Sequence, residues 1–233
     1  MATGGPGVGA VVASDEPLRI AECLCARLCH EMAGALGALM GSLDLAREDE
    51  AMAADAMALA GQTGHALVAR LRLLRAAWVG DGMPLGLARL AELAVGLADR
   101  RIELDLAALP PATVFDPAVG RVVLNLVLLG AEALPAGGTV WLERVERDLV
   151  LGVAGPRVEW PSGLATSLAG EAAIESPRGL QAPFTVLLAR ATGLDLSLMM
   201  PANGIRGAGA ALLMLGLPRE GSTGSGAGSS VLP

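Results

Sequence analysis

Lysine is missing from this 233-residue chain, and all 17 of its basic residues are arginine. That absence removes Schiff-base chemistry, Ser-Lys nucleophile schemes and the P-loop lysine together. Tyrosine is missing too and Phe occurs only twice, so few rings are available to stack nucleobases. A net charge of −7 and a pI near 4.9 have the wrong sign for a protein that binds by neutralising phosphates, which excludes nucleic acid as a partner. Long hydrophobic runs are scarce. Although 53% of residues are hydrophobic, charges interrupt each run before the roughly 18 residues of a membrane span, as in LARLAELAVGLADRR. The start, MATGGPGVGAVVASDEP, lacks the basic segment and apolar centre of a signal peptide. A soluble, cytoplasmic protein without a membrane partner is expected, its three cysteines free thiols in a reducing compartment.

What is present is aliphatic and helical. Ala, Leu and Val supply the apolar mass, which favours helix packing of small side chains. Residues 1–15 and 220–233 have the Gly-rich linker composition of disordered ends. From Asp15 or Glu16 to about Glu48 one long helix is predicted, with Ile20, Leu24, Leu28, Met32, Leu36, Leu39 and Leu43 at three- and four-residue spacing. After the acidic break REDEAMAAD, a second helix carries Met57, Ala60, Leu67, Leu71, Leu74 and Trp78 and stops at Gly80-Asp81-Gly82. The two form a hairpin over 16–82. Because a hairpin cannot bury both stripes by itself, pairing of two copies into a four-helix bundle, a homodimer, is expected.

Over 83–219 the pattern changes to an α/β order. It comprises a helix near 85–100, a strand IELDLAAL, a helix from Asp116-Pro117 through RVVLNLVLLGAEAL and a hairpin TVWLERVE/DLVLGVAG. Helices near 162–171 and 182–192 and strands LDLSLMM and GAALLMLGL complete it. The fold class is α+β: a helical hairpin followed by an α/β sandwich.

The chemistry concentrates on His30. At about 100° per residue it lies about 200° from Leu28, opposite the apolar stripe and toward solvent. Cys23, Gly34, Gly37 and Gly41 project within about 40° of it, a strip of small residues that a partner could approach closely. A neutral imidazole, with an unperturbed pKa of about 6.5, is a nucleophile toward phosphorus at neutral pH. Glu31 is a candidate to orient the ring and Arg27, one turn earlier, to offset phosphate charge. Cys23, Cys25 and Cys29 do not converge with His30 on one helix face, which argues against a metal site, and no Cys-x-x-Cys pair suggests redox chemistry. His65 has no acid beside it and is expected to be a solvated helix residue. Trp78, Trp141 and Trp160 are assigned to packing.

The stretch ARLCHEMAGALGALMGSLDLA resembles the histidine helix of the ChpT-type histidine phosphotransferases of alphaproteobacteria. The matching residues are Arg27, Cys29, His30, Glu31, Gly37, Ala38, Gly41, Leu43, Asp44 and Leu45. That helix commonly carries Ser-Pro where this chain has Gly34-Ala35. RLRLLRAAWVGDG resembles the end of the family's second helix and LNLVLLGAEALPAGGTVWL its degenerate, Bergerat-like ATPase domain, so the likeness runs over roughly 18–217.

It implies a homodimeric phosphoryl carrier, with His30 relaying between receiver domains of a hybrid kinase and of response regulators. Mg²⁺ would sit on the receiver, and this chain would bind no cofactor. Sensor kinases share the order of elements but resemble Asn-x-x-x-Asn-Ala at the helix where this chain has Asn125 and then Leu129. They also carry Asp-x-Gly-x-Gly where it has VAGPRVEW. An aliphatic side chain cannot coordinate Mg²⁺, so no ATP binding is expected. The kinases' water-positioning Thr or Asn, four residues after the histidine, is Gly34. An active ATP-dependent kinase and a non-catalytic dimeric adaptor are the two rival readings.

Overall fold

The computed structural model describes residues 16–171, 174, 176–200 and 212–217. The expectations of disorder for 1–15 and 220–233 fall outside them. Helix α1, Glu16–Glu48, and helix α2, Ala53–Trp78, form the antiparallel hairpin. Asp49 shapes the reversal, its Oδ1 accepting from the amides of Ala51 at 2.9 Å and Met52 at 3.3 Å.

The chain then enters β1 (Leu85–Gly86), α3 (Leu87–Ala94), a 3-10 segment (Val95–Arg100), β2 (Ile102–Ala108) and β3 (Val114–Phe115). Helix α4 (Pro117–Glu132) begins at Asp116-Pro117, as the sequence indicates, with proline in the first turn where no intrahelical amide bond is needed. Strands β4 (Gly138–Val145) and β5 (Asp148–Ala154), helices α5 (Gly163–Ala169) and α6 (Gln181–Ala191), and strands β6 (Asp195–Met199) and β7 (Leu212–Gly216) follow.

The main sheet has the order β2-β4-β5-β7-β6, parallel only between β2 and β4. One face is covered by α4 and α6. Val123, Leu126 and Val127 of α4 and Val186 of α6 pack with Val140, Leu142, Leu149 and Leu151 of the sheet in one buried cluster. On the other face Trp141 lies buried against Val150 and Leu212. Its ring occupies the space over Gly152, where a Cβ would come within 2.0 Å of Cζ2.

The end of α2 belongs to the second unit as much as to the hairpin. Leu73, Leu74 and Ala77 join the main core, and the α2 carbonyls left open at its C-terminus are met from α4. Asn125 Nδ2 donates to Ala77 O at 2.6 Å, Arg121 Nε donates to the same oxygen at 3.3 Å, and Arg121 Nη2 donates to Trp78 O. The side-chain oxygen of Asn125 accepts from Gln181 Nε2 at 3.0 Å, tying in α6. Gly96 permits the other seam, since a Cβ there would stand 2.7 Å from Ala69 O of α2.

The hairpin stripes differ from the expected ones. Met57 and Leu71 are exposed, whereas Ala56, Ala60, Arg70, Leu73 and Ala77 are buried. The cause is that α2 serves two neighbours at once, α1 and the second unit, so its inner face turns with whichever surface is adjacent. Among its residues α1 buries only Cys23, Arg27 and Ser42. Cys23, expected on the open strip beside His30, packs against Ile174 and Leu180 instead.

Replacing Asn125 by Ala would leave Ala77 O only the longer bond from Arg121 and would remove the side-chain acceptor from Gln181 inside the core. The expected cost is about 2–4 kcal/mol, read as a lower urea midpoint with unchanged helix content.

Candidate functional site

His30 sits in the middle of α1 on its exposed side. Among the described residues its ring has no hydrogen-bond or ion-pair partner, so both nitrogens are open to an incoming group. Gly34, Gly37 and Gly41 continue along the helix in the open. A Cβ at any of the three would meet nothing within 4 Å. Cys29 is exposed beside them.

Beneath this surface lies a cluster of charges. Glu31 turns inward and its carboxylate is held by Arg70 of α2, whose Nε donates to Oε2 at 2.8 Å and Nη2 to Oε1 at 3.2 Å. Arg27, one turn before Glu31 on the same helix, donates from Nε to Oε1 at 3.3 Å. From Nη2 it donates to Glu132 at the end of α4. The Arg27 guanidinium also lies 5.9 Å from the ring centroid of Trp78, within cation–π range. Arg100, closing the 3-10 segment, reaches to 3.8 Å from Glu31 Oε1. Five side chains from α1, α2, α4 and the 3-10 segment thus converge behind one histidine.

Burial dominates the electrostatics here and pushes the Glu31 carboxyl upward, but the hydrogen bond and charge of Arg70, with Arg27 and Arg100, bring it net below its ordinary 4.5. Glu132 goes the other way: burial raises it, and Arg27 and Arg100 offset that only in part. Arg100 is lowered by burial first and by the neighbouring Arg70 next, with Glu31 and Glu132 pulling back.

Two clefts flank His30. One, of about 570 Å³, runs between α1 and the segment before α6 and includes Arg27, Arg100, Ser176 and Arg178 on its walls. The other, about 460 Å³, lies between α1 and α2 and includes Thr63, Arg70 and Arg100.

The sequence reading brings His30, Gly34, Gly37 and Gly41 together and the structure keeps them on one exposed face. It places Arg27 and Glu31 differently. Arg27 is 8% exposed with its charge spent on two carboxylates, and Glu31 is bonded to arginines and not to the His30 ring. A charged pair at i, i+4 on the inner side of a helix bonds inward when buried counterions await it. Arg70, Arg100 and Glu132 were not anticipated. One signal was available: Glu132 is the only acid in the otherwise apolar run RVVLNLVLLGAEAL, and a lone carboxylate in such a helix calls for a cation. His65 is exposed on α2, as expected of a solvated residue.

A helical hairpin bonded to an α/β sandwich is the fold of the histidine phosphotransferase class. The family model described as "Histidine phosphotransferase C-terminal domain" matches residues 87–204. The chain is 30% identical over 204 residues to the protein phosphotransferase ChpT of Brucella abortus (strain 2308), covering 81% of this chain and 93% of that one. A bacterial phosphotransferase solved at 1.7 Å superposes with a TM-score of 0.67 at 25% identity, covering 85% of this chain and 95% of the other. The chain belongs to the histidine phosphotransferase family. It is of the ChpT type and acts as a histidine phosphotransferase in a phosphorelay.

Because the Glu31 carboxyl is depressed, its stabilising contribution is complete above pH 4.5 and is lost as pH falls through the folded value. Glu132, being raised, contributes with the opposite sign. The urea-midpoint difference between wild type and Glu31→Gln should therefore be present at neutral pH and close below 4.5.

Proposed function

We propose that His30 is the phosphoacceptor and that it passes a phosphoryl group between receiver-domain aspartates without ATP. The observation carrying this reading is the freedom of the His30 ring beside an open strip of glycines, while the adjacent Arg27 and Glu31 are bonded inward. In the first transfer the lone pair of an imidazole nitrogen bonds to phosphorus as the P–O bond to the receiver aspartate breaks. The electron pair of that bond stays on the aspartate carboxylate, and the proton on the other ring nitrogen leaves to solvent. The second transfer reverses these movements onto another receiver. In-line transfer of this kind depends on positioning and charge, so close approach of the two proteins is the main requirement. Gly34, Gly37 and Gly41 allow a receiver to come near the helix backbone. Mg²⁺ belongs to the receiver, and no residue here is assigned to it. The upstream partner is the receiver of a hybrid kinase and the downstream ones are response regulators.

Absence of ATP chemistry rests on how Asn125 and Leu129 are used. Asn125 has its amide bonded to Ala77 O and to Arg121 O at 2.8 Å and its side-chain oxygen to Gln181. Leu129 is wholly buried in the main core. Neither is free to hold a nucleotide's metal. Homodimerisation into a four-helix bundle accounts for the apolar side chains the hairpin leaves in solvent, among them Leu36, Met40, Met57 and Leu59. Helix α1 is long and apolar enough to cross a membrane, with a mean hydropathy of 1.2 over its best window. The bonds of Arg27 and Glu31 to α2 and α4 favour instead a helix docked in a soluble, cytoplasmic protein.

Incubation with a radiolabelled phosphorylated receiver should label the wild type and leave His30→Ala unlabelled. An unlabelled wild type excludes the relay reading and leaves the adaptor, and label retained in His30→Ala excludes His30 as the acceptor. Titration calorimetry with Mg-ATP should give no binding heat; measurable affinity would favour the kinase. Gly37→Leu should raise helix stability slightly, by up to about 1 kcal/mol, yet slow receiver-dependent labelling. The pairing of those opposite signs marks a docking face.

A further inference from the structure

Behind His30, Arg27, Arg70 and Arg100 face Glu31 and Glu132, a set of five with one more positive charge than negative, while Asp99 lines the smaller cleft next to Arg100. The surplus has an address. The Arg27 and Arg70 side chains are only 9% and 6% exposed and bond directly to carboxylates. The Arg100 side chain is 39% exposed, and at 3.8 Å from Glu31 Oε1 it stands beyond hydrogen-bonding distance. Glu31 does not need it, already accepting three bonds from Arg70 and Arg27. Arg100 also lines both clefts that open beside His30. The 3-10 segment that ends at Arg100 is seated closely on α2 at Gly96. In the larger cleft the exposed Arg178 adds a second cation.

We propose that Arg100 is a catalytic residue of the phosphotransfer, its guanidinium meeting the phosphoryl oxygens on His30 from the cleft between α1 and the second unit. A guanidinium fork suits phosphoryl oxygens, and a cation held in place before the reaction favours the charge that builds on them during transfer. Arg100 thereby takes the part that helical spacing alone gives to Arg27, whose charge is spent inside the protein. The inference rests on His30 being the acceptor.

The test uses the full-length protein with a phosphorylated receiver, comparing wild type, Arg100→Gln and Arg100→Lys. Expected is labelling at His30 in all three, unchanged thermal midpoints and an unchanged receiver concentration for half-maximal rate. The single-turnover rate should fall about 10- to 100-fold in Arg100→Gln and recover in part in Arg100→Lys. The ³¹P resonance of phosphorylated His30 should titrate at higher pH in Arg100→Gln, because a cation beside the phosphoryl group favours its dianion. With a labelled wild type, an unchanged rate and ³¹P titration in Arg100→Gln overturns the Arg100 assignment alone. So does a rate loss that tracks a lowered thermal midpoint with no shift in the ³¹P titration. A wild type that takes no label at His30 overturns both readings.

Discussion

The structure depends on one half-buried carboxylate. Glu31 follows the histidine directly on α1, and Arg70 grips it from α2 with two bonds while Arg27 adds a third. Arg27 then carries the connection to Glu132 at the end of α4. Removing one partner from such a cluster leaves a charge stranded out of water, at a cost of about 3–5 kcal/mol, so the set is kept or lost together. Because the backbone of Glu31 is also that of His30, whatever fixes the carboxylate fixes where the imidazole leaves the surface. Precision at the exposed site is supplied from beneath it.

The same cluster explains how two units of different architecture act as one. A helical hairpin alone would be a marginal scaffold, since α1 buries so little against the rest of the chain. The second unit stiffens it in two places: at the Arg27–Glu132 pair, and at the end of α2, where Arg121 and Asn125 of α4 take up the open carbonyls. On the proposed reading, α4 is not part of a nucleotide pocket. Read as a brace, its Asn125 has every polar atom bonded and its Leu129 packed. A relay protein needs a rigid histidine more than a moving ATP domain, and this arrangement favours the first.

Much of this was legible in the sequence. Helix α1 falls where the leucine spacing places it, the break within REDEAMAAD and the start at Asp116-Pro117 are both turn chemistry, and β4 and β5 form the hairpin expected of TVWLERVE and DLVLGVAG. The exposure of His30 and its glycines follows from helical angles alone. What helical angles could not supply was the inward turn of Arg27 and Glu31, because that depends on Arg70 and Glu132, which are 39 and 105 residues away from their partners in the chain. Nor could the angles give the rotation of the buried face of α2 toward two neighbours. Arg100 was invisible for the same reason: an arginine in ADRRIE looks like any solvated charge until the fold sets it beside His30.

The central claim is that His30 itself bears the transferred group. After the wild-type protein is mixed with a phosphorylated receiver, tandem mass spectrometry under alkaline conditions that preserve N–P bonds locates the phosphoryl group directly. The account predicts a phosphoramidate on the His30 peptide and none on His65. A phosphoryl group on any other residue, or none on the protein while the receiver stays loaded, would contradict it.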